Sequence, residues 1–285
     1  MPNRDALLHI TDLHFWEIVW NPLRLLGKRF LGNLNVALRR NQEFHTERAE
    51  TTADALAATG ISTVFAGGDF TSTSTDREFE MAAAFLRTLA GRGLRVLAIP
   101  GNHDRYTFTS ARRRRFERYL GEFLPAELPC RVDLPGGTPF LLLPGAQPNV
   151  LSSCGRIHGR DIERTAELLS ACPPGPVLVG AHYPLLPEAP GYETPPLRRL
   201  RNAEALRQAL GGSGRTILHI AGHVHRASYV QDPQYPGLWH ATTDALFFER
   251  SGAKRRGMFT EIQVSEDRFD LCRHVFDGAW RRTGA

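Results

Sequence analysis

Val96-Leu97-Ala98-Ile99-Pro100-Gly101-Asn102-His103-Asp104 is the stretch on which the reading of the fold turns. A short apolar run is cut by Pro-Gly and gives way at once to an amide, an imidazole and a carboxylate. Apolar runs bounded by Gly or Pro read as buried strands. The same succession occurs at Leu7 to Ile10, before Thr11-Asp12-Leu13-His14, and at Ser62 to Ala66, before Gly67-Gly68-Asp69. Between them lie helical patterns, Thr46 to Ala58 and Glu78 to Leu89, the second with Phe79, Ala82, Ala83, Leu86 and Leu89 on one side. Strands that alternate with helices and end in polar residues form the βα pattern of an α/β sheet, whose ligands gather at the carboxyl ends of its strands.

Downstream, Phe140 to Leu143, Val177 to Gly180 and Thr216 to Ala221 read as buried strands, and Arg160 to Leu169 and Ala203 to Leu210 as helices. After His225 the pattern is mostly strand: Ala227 to Val230, Leu238 to Ala241, Phe259 to Val264 and Phe269 to Val275. That tail is expected to form a second sheet packed on the first. The Pro-rich stretches, Pro173-Pro174 and Pro184 to Pro196, read as loops.

With 285 residues, 42% of them hydrophobic, the chain can bury a large core, and one domain over 1–285 is expected. Cys130, Cys154, Cys172 and Cys272 are far apart, which argues against a thiolate metal site or a disulfide framework and for reduced thiols in a cytoplasmic protein. No basic-then-apolar leader opens the sequence, so no secretory signal is expected. No apolar stretch approaches the roughly 20 residues of a membrane-spanning helix. The net charge of +5 is mild, but its distribution is uneven. Between Glu17 and Glu43 there is no acid, while Arg24, Lys28, Arg29, Arg39 and Arg40 fall there. A second basic run, Arg112 to Arg115, reads as a solvated helix face, although a phosphate-rich substrate would also favour it.

Five polar blocks follow apolar runs: Asp12-Leu13-His14, Gly68-Asp69, Gly101-Asn102-His103-Asp104, Gly180-Ala181-His182 and Gly222-His223-Val224-His225. A strand end that gives its last residues to Asp and His forgoes core burial, and this implies that those side chains meet something charged. Carboxylate, imidazole and amide oxygen suit cations such as Zn, Mn and Fe. The i, i+2 spacing of Asp12 with His14 and of His223 with His225 suits an extended backbone that points both side chains to one side. Each block alone is commonplace; their order and context are not.

The series of blocks resembles the calcineurin-like metallophosphoesterase superfamily, all five blocks standing in its order between residues 9 and 225. The resemblance implies an α/β (α+β) four-layer αββα sandwich, two mixed sheets flanked by helices, with a dinuclear metal site at one end. It implies two divalent transition metal ions (Mn, Fe or Zn), the first held by Asp12, His14 and His225, the second by Asn102, His182 and His223, with Asp69 bridging. It further implies hydrolysis of a phosphoester by a hydroxide held between the metals. His103 would be the catalytic residue at the phosphate, and Asn102 and His103 would meet substrate. Asp104 reads as orienting its neighbours or a metal-ligand imidazole, and Tyr183, beside His182, could reach the substrate or merely pack. Phe70 stands where Leu is more usual, and Ser72 replaces the further Asp of the protein-phosphatase branch.

Residues 15–42 form an insertion in which Trp16, Ile18, Val19, Trp20, Leu23, Leu25, Leu26, Phe30, Leu31, Leu34, Val36 and Leu38 interleave with the basic residues. Apolar and basic together describe a segment on an anionic membrane or around an acyl phosphate. A helical hairpin packed on the domain with its basic residues in water is the alternative. The insertion resembles that of the UDP-2,3-diacylglucosamine hydrolases of lipid A biosynthesis, which would place the protein at the inner face of the membrane. The rest equally resembles soluble cyclic-nucleotide and glycerophosphodiester phosphodiesterases. A metal-free scaffold is a further alternative, opposed by the full ligand set, and nothing but basic clusters points to nucleic acid as a partner. Oligomeric state is not legible.

Overall fold

The computed structural model describes residues 5–20, 28–150, 152–250 and 255–284. In chain order its main strands are β1 (Asp5–Ile10), β2 (Thr63–Ala66), β3 (Arg95–Ala98), β4 (Cys130–Asp133), β5 (Pro139–Leu142), β6 (Val177–Gly180), β7 (Ile217–Ala221), β8 (Ser228–Gln231), β9 (Leu238–Thr242), β10 (Met258–Val264), β11 (Phe269–Phe276) and β12 (Trp280–Thr283). The helices are α1 (Lys28–Asn35), α2 (Ala49–Ala58), α3 (Asp76–Gly91), α4 (Phe108–Arg112), α5 (Arg115–Leu120), α6 (Gly159–Ser170) and α7 (Ala203–Gly211).

Two six-stranded mixed sheets result, ordered β12-β11-β10-β1-β2-β3 and β8-β9-β7-β6-β5-β4. In the first, β1, β2 and β3 run parallel; in the second, β5, β6, β7 and β9 do. Alternate residues of each central strand enter different cores, as a period of two requires. Leu7, Phe65, Phe140, Leu178 and Leu218 meet between the sheets. Leu8 and Val64 pack outward with Phe79 and Leu86 of α3, while Leu141 and Val179 pack outward with Leu169 of α6 and Leu206 of α7. Strands buried on both faces are mostly apolar, hence their near-continuous apolar runs. This is the expected sandwich.

The tail departs from expectation. β8 and β9 join the second sheet, but β10, β11 and β12 return to the first, where β10 pairs antiparallel with β1. Apolar alternation shows that a strand is half-buried, not which open edge it will satisfy. The run Arg112 to Arg115 is not one solvated face either. Arg114, at φ +48°, breaks the chain between α4 and α5. Arg112, Arg113 and Arg114 are exposed, but Arg115 is buried and donates to the Ser74 carbonyl and Asp76.

In the insertion, α1 runs on through a π-turn, Val36–Arg40, to a last turn, Asn41–Glu43. Leu23, Arg24, Leu25 and Leu26 lie outside the described residues. The segment is anchored from several sides. Asn33 exchanges two hydrogen bonds with the Val19 backbone, Trp16 donates to the Phe44 carbonyl, and Val36 is fully buried. A Cβ at Gly32 would lie 2.7 Å from the Tyr106 hydroxyl, so α1 rides directly on that ring. Among the described residues no helix is long and apolar enough to cross a membrane.

Candidate metal centre

The polar blocks converge because the strands before them are parallel neighbours. Asp12 and His14 follow β1, Asp69 follows β2, and Asn102 and His103 follow β3; from the facing sheet His182 follows β6, and His223 and His225 follow β7. The extended i, i+2 geometry expected of Asp12-x-His14 and His223-x-His225 is not what brings them together. All four residues lie past their strands with left-handed backbone, φ +53°, +51°, +69° and +49°, as does Asp69 at +56°. The chain curls at each strand end, and the curl aims the side chains inward.

Three overlapping groups present ligand atoms within 4.8 Å of one another: Asp12, His14 and His225; His14, Asp69 and His103; and Asp69, His182 and His223. Asp69 and His14 therefore sit where two ion positions would adjoin. Asp69 Oδ2 lies 3.9 Å from His14 Nε2 and 3.5 Å from His182 Nε2, while its Oδ1 accepts from the His103 backbone N–H at 2.7 Å. Asn102 Oδ1 is 3.2 Å from His182 Nε2, on that same side.

Backbone carbonyls select the ring nitrogen that each histidine turns to the centre. His14 Nδ1 donates to the Thr71 carbonyl and His182 Nδ1 to that of Gly67, so both rings turn Nε2 to the centre, where that of His14 lies 3.1 Å from His225 Nε2 and that of His182 3.2 Å from Asn102 Oδ1. His223 donates through Nε2 to the Arg198 carbonyl, which leaves Nδ1. Asp12 Oδ2 accepts from the Thr11 hydroxyl and the His223 N–H; its buried Oδ1 has no hydrogen directed onto it, although His225 Nε2 is 3.0 Å away. A buried carboxylate oxygen without a donor costs free energy unless a cation meets it. The donor set thus fits metal ions.

Charge balance agrees. Burial pushes His14 well below the usual imidazole range and His223 down to about 3, so both rings are neutral lone-pair donors. Burial would also depress His182, but the Asp69 and Asp12 carboxylates outweigh it and raise its pKa to about 9. The site draws in positive charge, and a metal ion would displace that proton.

Around this centre is a cleft of about 500 Å³, lined by Asp69, Asn102, His103, His223 and His225 and walled by Arg39, Arg40, Arg198, Arg226 and Arg255. His103 reaches the cleft; its Nδ1 donates to the Ser72 carbonyl at 2.6 Å, which turns Nε2 outward. Asp104 does not touch a candidate metal-binding imidazole: it braces the turn by accepting from the Gly101 and Thr71 N–H groups and the Thr71 hydroxyl. Tyr183 is corrected as a substrate contact. It is buried, its hydroxyl donates to the Ser153 carbonyl, and its ring packs against His223 with centroids 4.5 Å apart.

The residue that sequence reasoning misses at this site is Arg40, which composition shows only as one of the insertion's basic residues. Its guanidinium lies 3.1 Å from His103 Nε2 and 3.2 Å from His14 Nδ1. The lack of an acid at i±4 from Arg40, where Arg39 has Glu43, is the available signal. A remote Glu261, Cys272 and His274 group is already balanced by Arg282 and Gln263.

The model of the calcineurin-like phosphoesterase family matches residues 6–227, which hold every residue of this centre. The chain belongs to the calcineurin-like phosphoesterase family. Members use a dinuclear metal centre, and the ligand groups above give this calcineurin-like phosphoesterase the means to hold one. It is a metal-dependent phosphoesterase. Among solved structures it is similar to a dimetal phosphatase from Danio rerio, at 16% identity and a TM-score of 0.65, covering 95% of this chain and 96% of that one. A purple acid phosphatase from yellow lupin (Lupinus luteus) aligns at 13% identity and a TM-score of 0.62, covering 97% of this chain and 54% of that one. At such identities the likeness is one of fold. No curated protein matches the sequence.

Proposed function

We propose that this phosphoesterase cleaves a phosphodiester or diphosphate bond of a lipid-linked nucleotide at an anionic membrane surface, in the manner of the UDP-2,3-diacylglucosamine hydrolases. In this reading Asp12, His14 and His225 hold one divalent transition metal ion, Asn102, His182 and His223 hold the second, and Asp69 bridges them. When bound, two such ions neutralise phosphoryl charge and acidify water. The chain's own contribution is to fix each ring nitrogen through a carbonyl, to keep the carboxylates unprotonated, and to place His103 at the leaving oxygen. With Nδ1–H held by Ser72, its Nε2 is the nitrogen that faces the cleft, and the ring can give a proton there as an imidazolium.

One observation carries the lipid reading. Phe30, Leu34 and Leu38, spaced by four along the insertion helix, are 54%, 45% and 68% exposed, while Asn35, Arg39 and Arg40 of the same helix line the metal cleft. An unburied apolar stripe beside a cationic cleft matches an acyl chain attached to a phosphate. Trp20, 85% exposed, belongs to the same insertion.

The test is a phosphoester panel, bis-p-nitrophenyl phosphate, cyclic nucleotides and a UDP-linked diacyl lipid in detergent or vesicles, with Mn, Fe or Zn. The lipid is expected to be turned over best, and Leu34→Glu with Leu38→Glu to lose the lipid but keep bis-p-nitrophenyl phosphate. Equal use of soluble diesters, indifferent to vesicles, refutes the lipid reading and favours a soluble phosphodiesterase. His103→Ala is expected to keep both metals and lose about 10²–10⁴-fold in turnover; full activity would remove His103 from its role.

A further inference from the structure

We propose that Arg40, delivered by the insertion, is a catalytic residue of this site: its guanidinium binds a non-bridging oxygen of the scissile phosphoryl group beside His103. The inference rests on the phosphoesterase reading and extends it to a residue outside the five blocks.

Four observations converge. Arg40 ends the π-turn Val36–Arg40, a distortion that rotates a helical side chain out of its ordinary register and recurs at functional sites. Arg39, one residue earlier, pairs with Glu43 at 3.0 Å, whereas Arg40 has no carboxylate within ion-pair distance among the described residues. It faces two imidazoles instead. The Nδ1 protons of His14 and His103 already go to the Thr71 and Ser72 carbonyls, so the acceptor aimed at the guanidinium is His103 Nε2. Finally, Arg40 lies in the wall of the same cleft that Asp69, Asn102 and His103 line.

A guanidinium half-withdrawn from water, next to positions where cations bind, is unfavourable unless an anion comes between. Its planar fork offers two parallel N–H groups, which match the oxygens of a phosphoryl group. Charge gathers on those oxygens as phosphorus is attacked, so the donor is worth most in the transition state. Packing holds the insertion where Arg40 can act. Gly32 seats α1 on Tyr106, and the Tyr106 ring stacks on His103 at 5.3 Å. Arg40 and His103 are thus held on one scaffold.

The test compares wild type, Arg40→Ala and Arg40→Lys as metal-loaded full-length protein. Expected are metal content and melting temperature like wild type, kcat on bis-p-nitrophenyl phosphate down about 10²–10³-fold in Arg40→Ala, partial rescue by added guanidinium, and weaker binding of inorganic phosphate by titration calorimetry. Arg40→Lys should recover only part, since the charge stays but the fork is lost. Unchanged kcat and phosphate affinity in Arg40→Ala would overturn the proposal, and so would a loss accompanied by loss of metal. A wild type that hydrolyses no phosphoester yet binds phosphate through Arg40 would instead count against the reading beneath it.

Discussion

Asp12, His14, Asp69, His223 and His225 adopt a left-handed backbone that costs most L-residues about 1–2 kcal/mol each. Five such residues around one cleft are maintained only because their surroundings leave no alternative. Glycines supply the room. A Cβ on Gly101 would lie 2.2 Å from Asp69 Oδ1, and one on Gly222 would lie 2.1 Å from the Thr11 hydroxyl and 2.6 Å from Asp12 Oδ2. The Asp12 carboxylate cannot give way, because Thr11 and the His223 N–H already fix it. Gly222→Ala is therefore expected to weaken metal binding by about 10–100-fold and to destabilise the protein by about 1–3 kcal/mol. Metal titration and denaturant melts measure both. Gly91→Ala, where the added methyl meets nothing within 4 Å, is the control and should leave metal affinity untouched. A Gly222→Ala protein that binds metal like wild type would show that the crowding is not functional.

At the scale of elements, the most legible segments are those with period and punctuation. The apolar run Val177 to Gly180 has the bounds of the strand itself, and α3 extends the expected Glu78 to Leu89 by a turn's fraction at each end. Its start shows why: Thr75 accepts from the Glu78 N–H while the Glu78 carboxylate accepts from the Thr75 and Thr73 N–H groups, a capping box opening an apolar face. Thr75→Ala should cost about 1 kcal/mol in urea melts, with metal content unchanged; a neutral substitution would mean that Glu78 alone holds the helix start. The insertion is less legible. Its composition announces an amphipathic segment, but the seat of Gly32 on Tyr106 and the position of Arg40 over the Phe44 ring are contacts that sequence spacing does not reveal. Hence Arg40 can be counted from the sequence and not placed. Tyr183 is a different case: an aromatic beside a candidate ligand can reach the substrate or pack, and only the Ser153 carbonyl that meets its hydroxyl decides for packing.

Across the whole molecule, the order of polar blocks foretells the gathering of the site, because parallel neighbours bring consecutive strand ends to one edge, while the sandwich follows from the family resemblance that those blocks carry. The same logic is silent on how strands share two sheets, so it does not foresee the return of β10, β11 and β12 to β1. It is silent also on polar groups sealed in the core. His219 on β7 is buried, its Nε2 has no hydrogen-bond partner among the described residues, and burial holds it well below the usual imidazole range, with His240 adding repulsion. His9 on β1 is likewise depressed by burial, to about 3. Both are neutral in the fold and free to protonate in the unfolded chain near pH 6.5. Their folded pKa values lie below the unfolded one, so the unfolded state takes up more protons as pH falls. The stability is full above about pH 6.5 and is lost progressively below it, by about 1.4 kcal/mol per pH unit for each histidine. In metal-free protein, His219→Leu should therefore show a shallower decline in unfolding free energy between about pH 6.5 and 4.5 than wild type, by close to one proton's slope. The ligand histidines titrate equally in both proteins and cancel in the comparison. Parallel curves would mean that His219 finds a partner for its proton inside the fold, and that the layer between the second sheet and its outer helices is wetter than its apolar lining indicates.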